Sequence, residues 1–472
     1  MHASTAAPRD FRALEETDRR SHLHPFTSIA AHLQTGPRII TRGEGIRVFD
    51  QHGVALIDGF AGLYCVNIGY GREEVAQAIH EQVSKLAYYH SYASYANEPS
   101  ILLAQRILRD APAGMSKVFF GLSGSDANES NVKLVWHYNN LLGRPRKKKI
   151  VSRRRGYHGS TVLAGSLTGL PLYHASFDLP IPGILHTATP HHYWHAHRGE
   201  SERAFAQRLA DELERLIESE GPETIAAFIA EPVMGTGGLI PPPEGYFEAI
   251  QKVLSRHDVL FICDEVVCGF GRVGAPFGSL VYGIEPDFMT LAKGMTSAYL
   301  PLSASVISDR VWNVLHDASP DFGPFTHGYT YTAHPTCAAA GVANLRIVDR
   351  EGLTENAAST GRYLLALLRK TFGDHELVGE VRGSGLLAAV EMVADRERKL
   401  AFAPASKVAV RVAQRAAEEG VIIRAMPHSD TLGFAPPLII RPDDVDDMVQ
   451  RVKRGFDRAI DELTREGVLS AA

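Results

Sequence analysis

Seven short apolar runs between Lys117 and Ile307 constrain this chain more than any other feature. Val118-Phe-Phe, Lys149-Ile-Val, Ile184-Leu-His, Ile225 to Ala230, Val259 to Cys263, Phe288 to Leu291 and Ala304 to Ile307 read as buried strands. Amphipathic helical patterns lie between them, as at Glu129 to Leu142, Arg203 to Glu218 and Phe247 to Arg256. This alternation predicts an α/β fold, a mostly parallel central sheet with helices on both faces and a site at the strand carboxyl ends. After about residue 345 the pattern changes to long helices around a pair of strands near Gly379 and Leu386. Three parts are expected: an N-terminal arm and hairpin (1–62), a large domain (63–344) and a smaller α+β domain (345–472) that the hairpin joins.

Residues 1 to 36 are polar and irregular and are expected to form an arm, whereas Arg38 to Asp58 alternates strand-like runs with glycine turns. The 45% apolar and 22% charged fractions are those of an ordinary globular protein. A net charge of −5 argues against a nucleic-acid partner. The basic run Arg144 to Lys149, with Arg153-Arg-Arg, reads as a solvated strand entry. No apolar run approaches the ~20 residues of a membrane helix and no leader pattern is present, so a cytoplasmic protein is expected. Four scattered cysteines without a C-x-x-C pair read as reduced thiols.

Two charged residues sit at strand tips. Asp264 ends the run Phe261-Ile-Cys, and Lys293 follows Phe288-Met-Thr-Leu-Ala. Either alone is more often a cap or a solvated charge. Together they suit a pyridine cofactor held as a Schiff base, the amine taking the aldehyde and the carboxylate the ring nitrogen. Leu122-Ser-Gly-Ser-Asp-Ala-Asn follows a strand and opens a helix, so backbone N–H groups, two hydroxyls and the helix dipole converge as an anion cradle.

The stretch Asp264 to Gly274 (D-E-V-V-C-G-F-G-R-V-G), with Ala292-Lys-Gly placing its lysine 28 residues after Glu265, resembles the signature of class III pyridoxal-phosphate aminotransferases. The resemblance runs from about residue 25 to residue 465. It implies a fold type I pyridoxal 5′-phosphate-dependent transferase acting as a homodimer with shared active sites, or as a tetramer. By resemblance Lys293 anchors the cofactor and then shuttles the proton between substrate Cα and cofactor C4′, while Asp264 keeps the ring nitrogen protonated. Ser123, Gly124 and Ser125 hold the phosphate, with Asp126 where glutamate is commoner. Tyr157 stacks on one ring face and Val266 on the other. His158 and Glu231 stand beside the cofactor, Glu231 in a structural role. Thr330 reaches the phosphate of the neighbouring subunit's site. Arg424 matches an arginine that grips a substrate carboxylate with its planar fork. Tyr64, and Tyr92 from the partner chain, either line the amine pocket or are core aromatics.

The overall pattern is most similar to the (S)-selective omega-aminotransferases, which pass an amino group from a primary amine or omega-amino acid to pyruvate, giving alanine. Relatives using 2-oxoglutarate often carry glutamate where Thr236 stands, so pyruvate is the expected acceptor. β-Alanine, taurine, a polyamine and an aryl-alkyl amine all stay open as donors. An aminomutase of the glutamate-semialdehyde type would share Asp264 and Lys293. An amine-sensing regulator would need a helix-turn-helix domain for which the first 60 residues have no pattern. No metal ligands are assigned, and the histidine-rich stretch His191 to His197 reads as a surface loop.

Overall fold

The computed structural model describes residues 10–469, so the first nine residues of the expected arm lie outside it. Strands β1 (Ile40–Glu44), β2 (Arg47–Asp50) and β3 (Ala55–Asp58) form an antiparallel meander. The seven apolar runs follow as β4 (Met115–Gly121), β5 (Lys149–Arg153), β6 (Ile184–Thr187), β7 (Ile225–Ala230), β8 (Leu260–Asp264), β9 (Phe288–Leu291) and β10 (Ser303–Ser308). They make one sheet in the order β4-β10-β9-β8-β7-β5-β6, parallel throughout except for β10, which runs against both its neighbours.

The central strands carry no polar face. Every residue of β7 and β8 is buried, as a sheet covered on both sides requires. Alternate side chains go to opposite layers. Phe228, Phe261 and Cys263 pack under helices Glu202–Glu220 and Tyr246–Arg256, whereas Ala227, Ile229 and Ile262 pack under helices Gly124–Leu141 and Val162–Leu167. Each large apolar side chain so buried contributes about 1.5–3 kcal/mol.

The C-terminal part holds β11 (Val378–Ser384), β12 (Leu387–Met392), β13 (Val421–Ile422), β14 (Arg424–Ala425) and β15 (Thr431–Phe434). β11, β12, β15 and β14 form an antiparallel sheet, while β13 pairs in parallel with β3. The segment Val421 to Ala425 therefore links two sheets, and Arg424 starts the strand that enters the second. Ile46 and Ile57 of the meander share one apolar cluster with Phe372, Val421, Phe434 and Phe456.

Three readings need correction. The described part of the arm is not irregular: it forms helices Phe11–Ser21 and Ile29–Thr35, capped by the side chains of Asp10 and Ser28. Neither helix buries a residue, so no apolar stripe announces it. The basic run is only partly solvated, because Arg153 is fully buried and donates to the Glu231 carbonyl at 2.7 Å, and buried Lys147 donates to the His257 carbonyl at 2.9 Å. The histidine-rich stretch is not simply a surface loop. It forms the short helix His192–His195, and buried His191 meets Glu380 Oε2 at 2.9 Å through Nε2.

That contact belongs to a buried network between the large and small sheets. Arg382 donates to Glu380 (2.9 Å) and Glu391 (2.7 Å) and to the Leu239 carbonyl (3.2 Å). Trp194 Nε1 donates to Glu391 at 3.0 Å. Burial opposes ionisation of Glu391, yet Arg382, His191 and Arg155 hold its carboxyl down at about 2. Burial also lowers the imidazoles of His186, His191 and His428 from 6.5 to about 4. An unfolded chain protonates these rings near 6.5, so between pH 6.5 and 4 it binds more protons than the folded chain. Stability is therefore full above that window and falls on acidification through it, with up to ~3 kcal/mol from His191 alone. Urea-unfolding midpoints from pH 7 to pH 4 are expected to fall steeply, with a shallower slope for His191→Asn.

Candidate active site

Asp264 ends β8, the middle strand of the large sheet, and is 3% exposed. Its Oδ2 accepts from Asn128 Nδ2 at 3.0 Å and lies 2.8 Å from His158 Nδ1. Its Oδ1 accepts from the Val266 amide at 3.1 Å. Asn128 also donates to the His158 carbonyl (2.7 Å) and accepts from Thr290 Oγ1 (2.6 Å). One asparagine thereby joins the helix after β4, the loop after β5 and strand β9. His158 is buried, and among the described residues its Nε2 has no hydrogen-bond partner.

Lys293 lies just beyond β9, adjacent in the sheet to β8. Its φ is +47°, a left-handed conformation that a lysine adopts only when the surroundings impose it. Asn344 imposes it: its Nδ2 donates to the carbonyls of Gly294 and Met295 (2.9 Å each), and its Oδ1 accepts from Ser297 Oγ at 2.7 Å. A Cβ on Gly294 would collide with the Asn67 side chain, so the loop must pass close to that residue.

The cradle begins at Ser123, the N-cap of helix Gly124–Leu141. Ser123 Oγ accepts from the Asp126 amide (3.2 Å), and the Asp126 carboxylate accepts from the amides of Ser123 (3.1 Å) and Leu122 (2.8 Å) and from Ser303 Oγ (2.8 Å). This capping box works with aspartate in place of glutamate. It leaves the first-turn N–H groups of Gly124 and Ser125 outside the intrahelical ladder. A Cβ on Gly124 would reach 3.0 Å from Val266, so glycine lets the helix start approach that side chain.

Lys293, Asp264, Ser123, Gly124, Ser125, Tyr157, His158, Val266 and Glu231 line one cavity of about 370 Å³. Glu231 is 2% exposed and ties the loops together, accepting from the amides of Gly235 (3.0 Å) and Tyr157 (3.3 Å). Burial raises its carboxyl, against the charges of His158 and Arg153. Tyr157 is half-buried and meets Tyr173 edge-on, with centroids 5.5 Å apart. Tyr64 is buried against Phe60, and burial pushes its phenol up while the charge of Arg424 opposes the rise. Arg424 itself sits over the Phe60 ring, 5.6 Å from its centroid. Tyr92 and Thr330 do not line this cavity; both are exposed.

Residues 29–456 match the description "Aminotransferase class-III". The chain belongs to the class-III aminotransferases. As a member it is a fold type I, pyridoxal 5′-phosphate-dependent enzyme. It is 53% identical to the diaminobutyrate–2-oxoglutarate transaminase of Halomonas elongata, over 97% of this chain and 99% of that protein. It is 42% identical to gamma-aminobutyrate transaminase 1 of Solanum lycopersicum, over 93% of this chain and 86% of that protein. The omega transaminase of Pseudomonas jessenii solved in complex with PMP superposes with a TM-score of 0.93 at 47% identity, covering 97% of this chain and all of that one.

The aminotransferase cavity fits its cofactor on chemical grounds. A helix N-terminus with free amides suits a phosphate, an amine suits an aldehyde, and a buried carboxylate held by hydrogen-bond donors suits a protonated ring nitrogen. Sequence reasoning missed Asn128, which holds Asp264 from another element, and Thr290, which holds Asn128. It also missed Cys65 and Thr296 in the wall. The one available signal was Asn128 itself, a polar residue on the buried side of its helix. Asp264→Asn is expected to lower kcat ~10- to 1,000-fold, since an opposite charge within hydrogen-bond reach of the ring nitrogen would be worth about 1–4 kcal/mol. Cofactor content measured in the same preparation should stay near one per chain.

Proposed function

We propose that this aminotransferase moves an amino group from a primary amine or omega-amino acid to pyruvate, giving an aldehyde or ketone and alanine. The observation that carries the acceptor is that Arg424 forms no salt bridge among the described residues, while position 236 holds a buried threonine. Arg424 sits over the Phe60 ring, and its charge acts on the phenol of buried Tyr64. An unpaired guanidinium is ready for a substrate carboxylate, and Thr236 offers it no competing charge. The relative from Halomonas elongata carries 2-oxoglutarate in its name, so the acceptor is the point to test.

The cofactor, when bound, supplies an electron sink that makes the substrate Cα–H acidic. The chain's own residues do the rest. Asp264 would hold the ring nitrogen and favour its protonated form. Ser123, Gly124 and Ser125 would anchor the phosphate, and Tyr157 and Val266 would restrain the ring. Lys293 would hold the cofactor's aldehyde, and its amine, once released, would take up the proton from substrate Cα. His158, whose Nδ1 faces Asp264, orients that carboxylate.

Thr330 and Tyr92 belong, in this reading, to the neighbouring subunit's site in a homodimer. Both are exposed, and the Tyr88 hydroxyl donates to the Thr330 carbonyl at 2.6 Å. Around them Tyr88, Tyr89, Tyr95 and Tyr331 stay exposed, an aromatic patch of the kind that marks an interface.

Alanine formed from pyruvate and glutamate formed from 2-oxoglutarate, measured with one amine donor, test the reading. Pyruvate is expected to give the higher kcat/KM; equal or better turnover of 2-oxoglutarate would overturn the acceptor assignment. Arg424→Ala is expected to raise KM for pyruvate ~10- to 100-fold, the worth of a charged hydrogen-bonded pair, with little change for a carboxylate-free amine.

A further inference from the structure

The N-terminal arm gathers three histidines on one carboxylate, outside the catalytic cavity. Asp18 lies on helix Phe11–Ser21, His22 caps that helix, His24 follows, and His32 comes from helix Ile29–Thr35. His22 Nδ1 lies 3.3 Å and His24 Nε2 2.9 Å from Asp18 Oδ2, and His32 Nε2 lies 2.9 Å from Oδ1. The rings crowd together, His22 to His24 at 4.2 Å and His24 to His32 at 4.4 Å between centroids. The ligand atoms of Asp18, His22 and His24 all lie within 4.8 Å of one another. The Asp18 and His32 side chains are mostly buried, at 18% and 12% exposure, while His22 stays open at 62%.

Three imidazoles with one carboxylate form a nitrogen-rich donor set of borderline softness, suited to zinc in a closed tetrahedron. Zinc bonds of about 2.0–2.2 Å set ligand atoms roughly 3.3–3.5 Å apart along the tetrahedron's edges. His22 and His24 approach Oδ2 and His32 approaches Oδ1, at nitrogen–oxygen separations of 2.9–3.3 Å, a few tenths of an ångström under that edge. Closing the tetrahedron on one ion requires the side chains to turn so that His32 joins the compact group of Asp18, His22 and His24, which two helices and one tight turn already bring together.

We propose that Asp18, His22, His24 and His32 bind one Zn²⁺ ion, which staples the N-terminal arm. The stapled loop carries Phe26, whose φ of +51° is left-handed. The Phe26 ring stacks on Tyr173 at 5.3 Å and 14°, and Tyr173 in turn meets Tyr157 of the catalytic cavity. The ion thus fixes a turn that leans on the aromatic wall of the active site, whichever acceptor the enzyme uses.

The test uses metal-free, cofactor-loaded enzyme without a histidine tag, titrated with Zn²⁺ by calorimetry and in competition with a chromophoric chelator. One ion per chain is expected, bound at least tenfold more weakly by Asp18→Asn, His24→Gln and the solvent-exposed His22→Gln. The cofactor's visible absorbance reports that each variant is folded. Zinc is also expected to slow trypsin cleavage at Arg19 and Arg20 several-fold in the parent and not in His24→Gln. No stoichiometric binding would overturn the proposal. So would binding that survives in all three variants, which would put the ion elsewhere, or an arm cut equally fast with and without zinc.

Discussion

The structure turns on one buried carboxylate. Asp264 sits at the tip of the central strand almost entirely out of water, where an ionised group stands only if donors surround it. Those donors come from three places: Asn128 on the helix after β4, His158 in the loop after β5, and the Val266 amide on the chain's own continuation. Satisfying the Asp264 carboxylate therefore fixes where that helix begins and where that loop runs. The same helix start carries Ser123 to Ser125, and the same loop carries Tyr157. One hydrogen-bonding requirement thus sets the positions of the residues proposed to hold phosphate, ring and ring nitrogen.

The lysine side of the site is held differently. Lys293, Ser297 and Ala298 all have positive φ, a cluster of left-handed residues costing of order 1–3 kcal/mol each. Asn344 holds this loop from outside it. Asn67, against which Gly294 packs, donates to the Phe270 carbonyl and accepts from Arg272 Nη2 at 2.8 Å, while Arg272 Nη1 donates to the Pro436 carbonyl. Backbone strain at Lys293 is thus offset by the hydrogen bonds of Asn344. Glu265 helps from the strand side. It accepts from the amides of Gly278 (2.9 Å) and Ser279 (2.6 Å), and burial pushes its carboxyl up to about 7.

The central sheet was legible because each of its strands is short, apolar and bounded by turns, and because doubly covered strands need no polar face. Asp264 and Lys293 were legible for a related reason, as charged residues stand out at the ends of buried runs. What escaped was set by contacts distant in sequence or by the absence of burial. Asn128 meets Asp264 across 136 positions, and nothing local marks that pairing. Helix Asp309–Phe322 buries only Val311 and contains Pro320, so its stripe is too thin to read. The histidines of the arm looked like an irregular polar stretch because only the turn at Pro25 and Phe26 brings His32 back to Asp18.

The visible absorbance of the cofactor-loaded protein tests the central claim most directly, that Lys293 and Asp264 form an amino-transfer site serving two half-reactions. A panel of primary amines is added first and pyruvate second, with Lys293→Ala as the control. A yellow band that an amine bleaches and pyruvate restores, absent from the lysine variant, is the result this structure leads to. A band that no amine bleaches, or an unchanged band in Lys293→Ala, would contradict it.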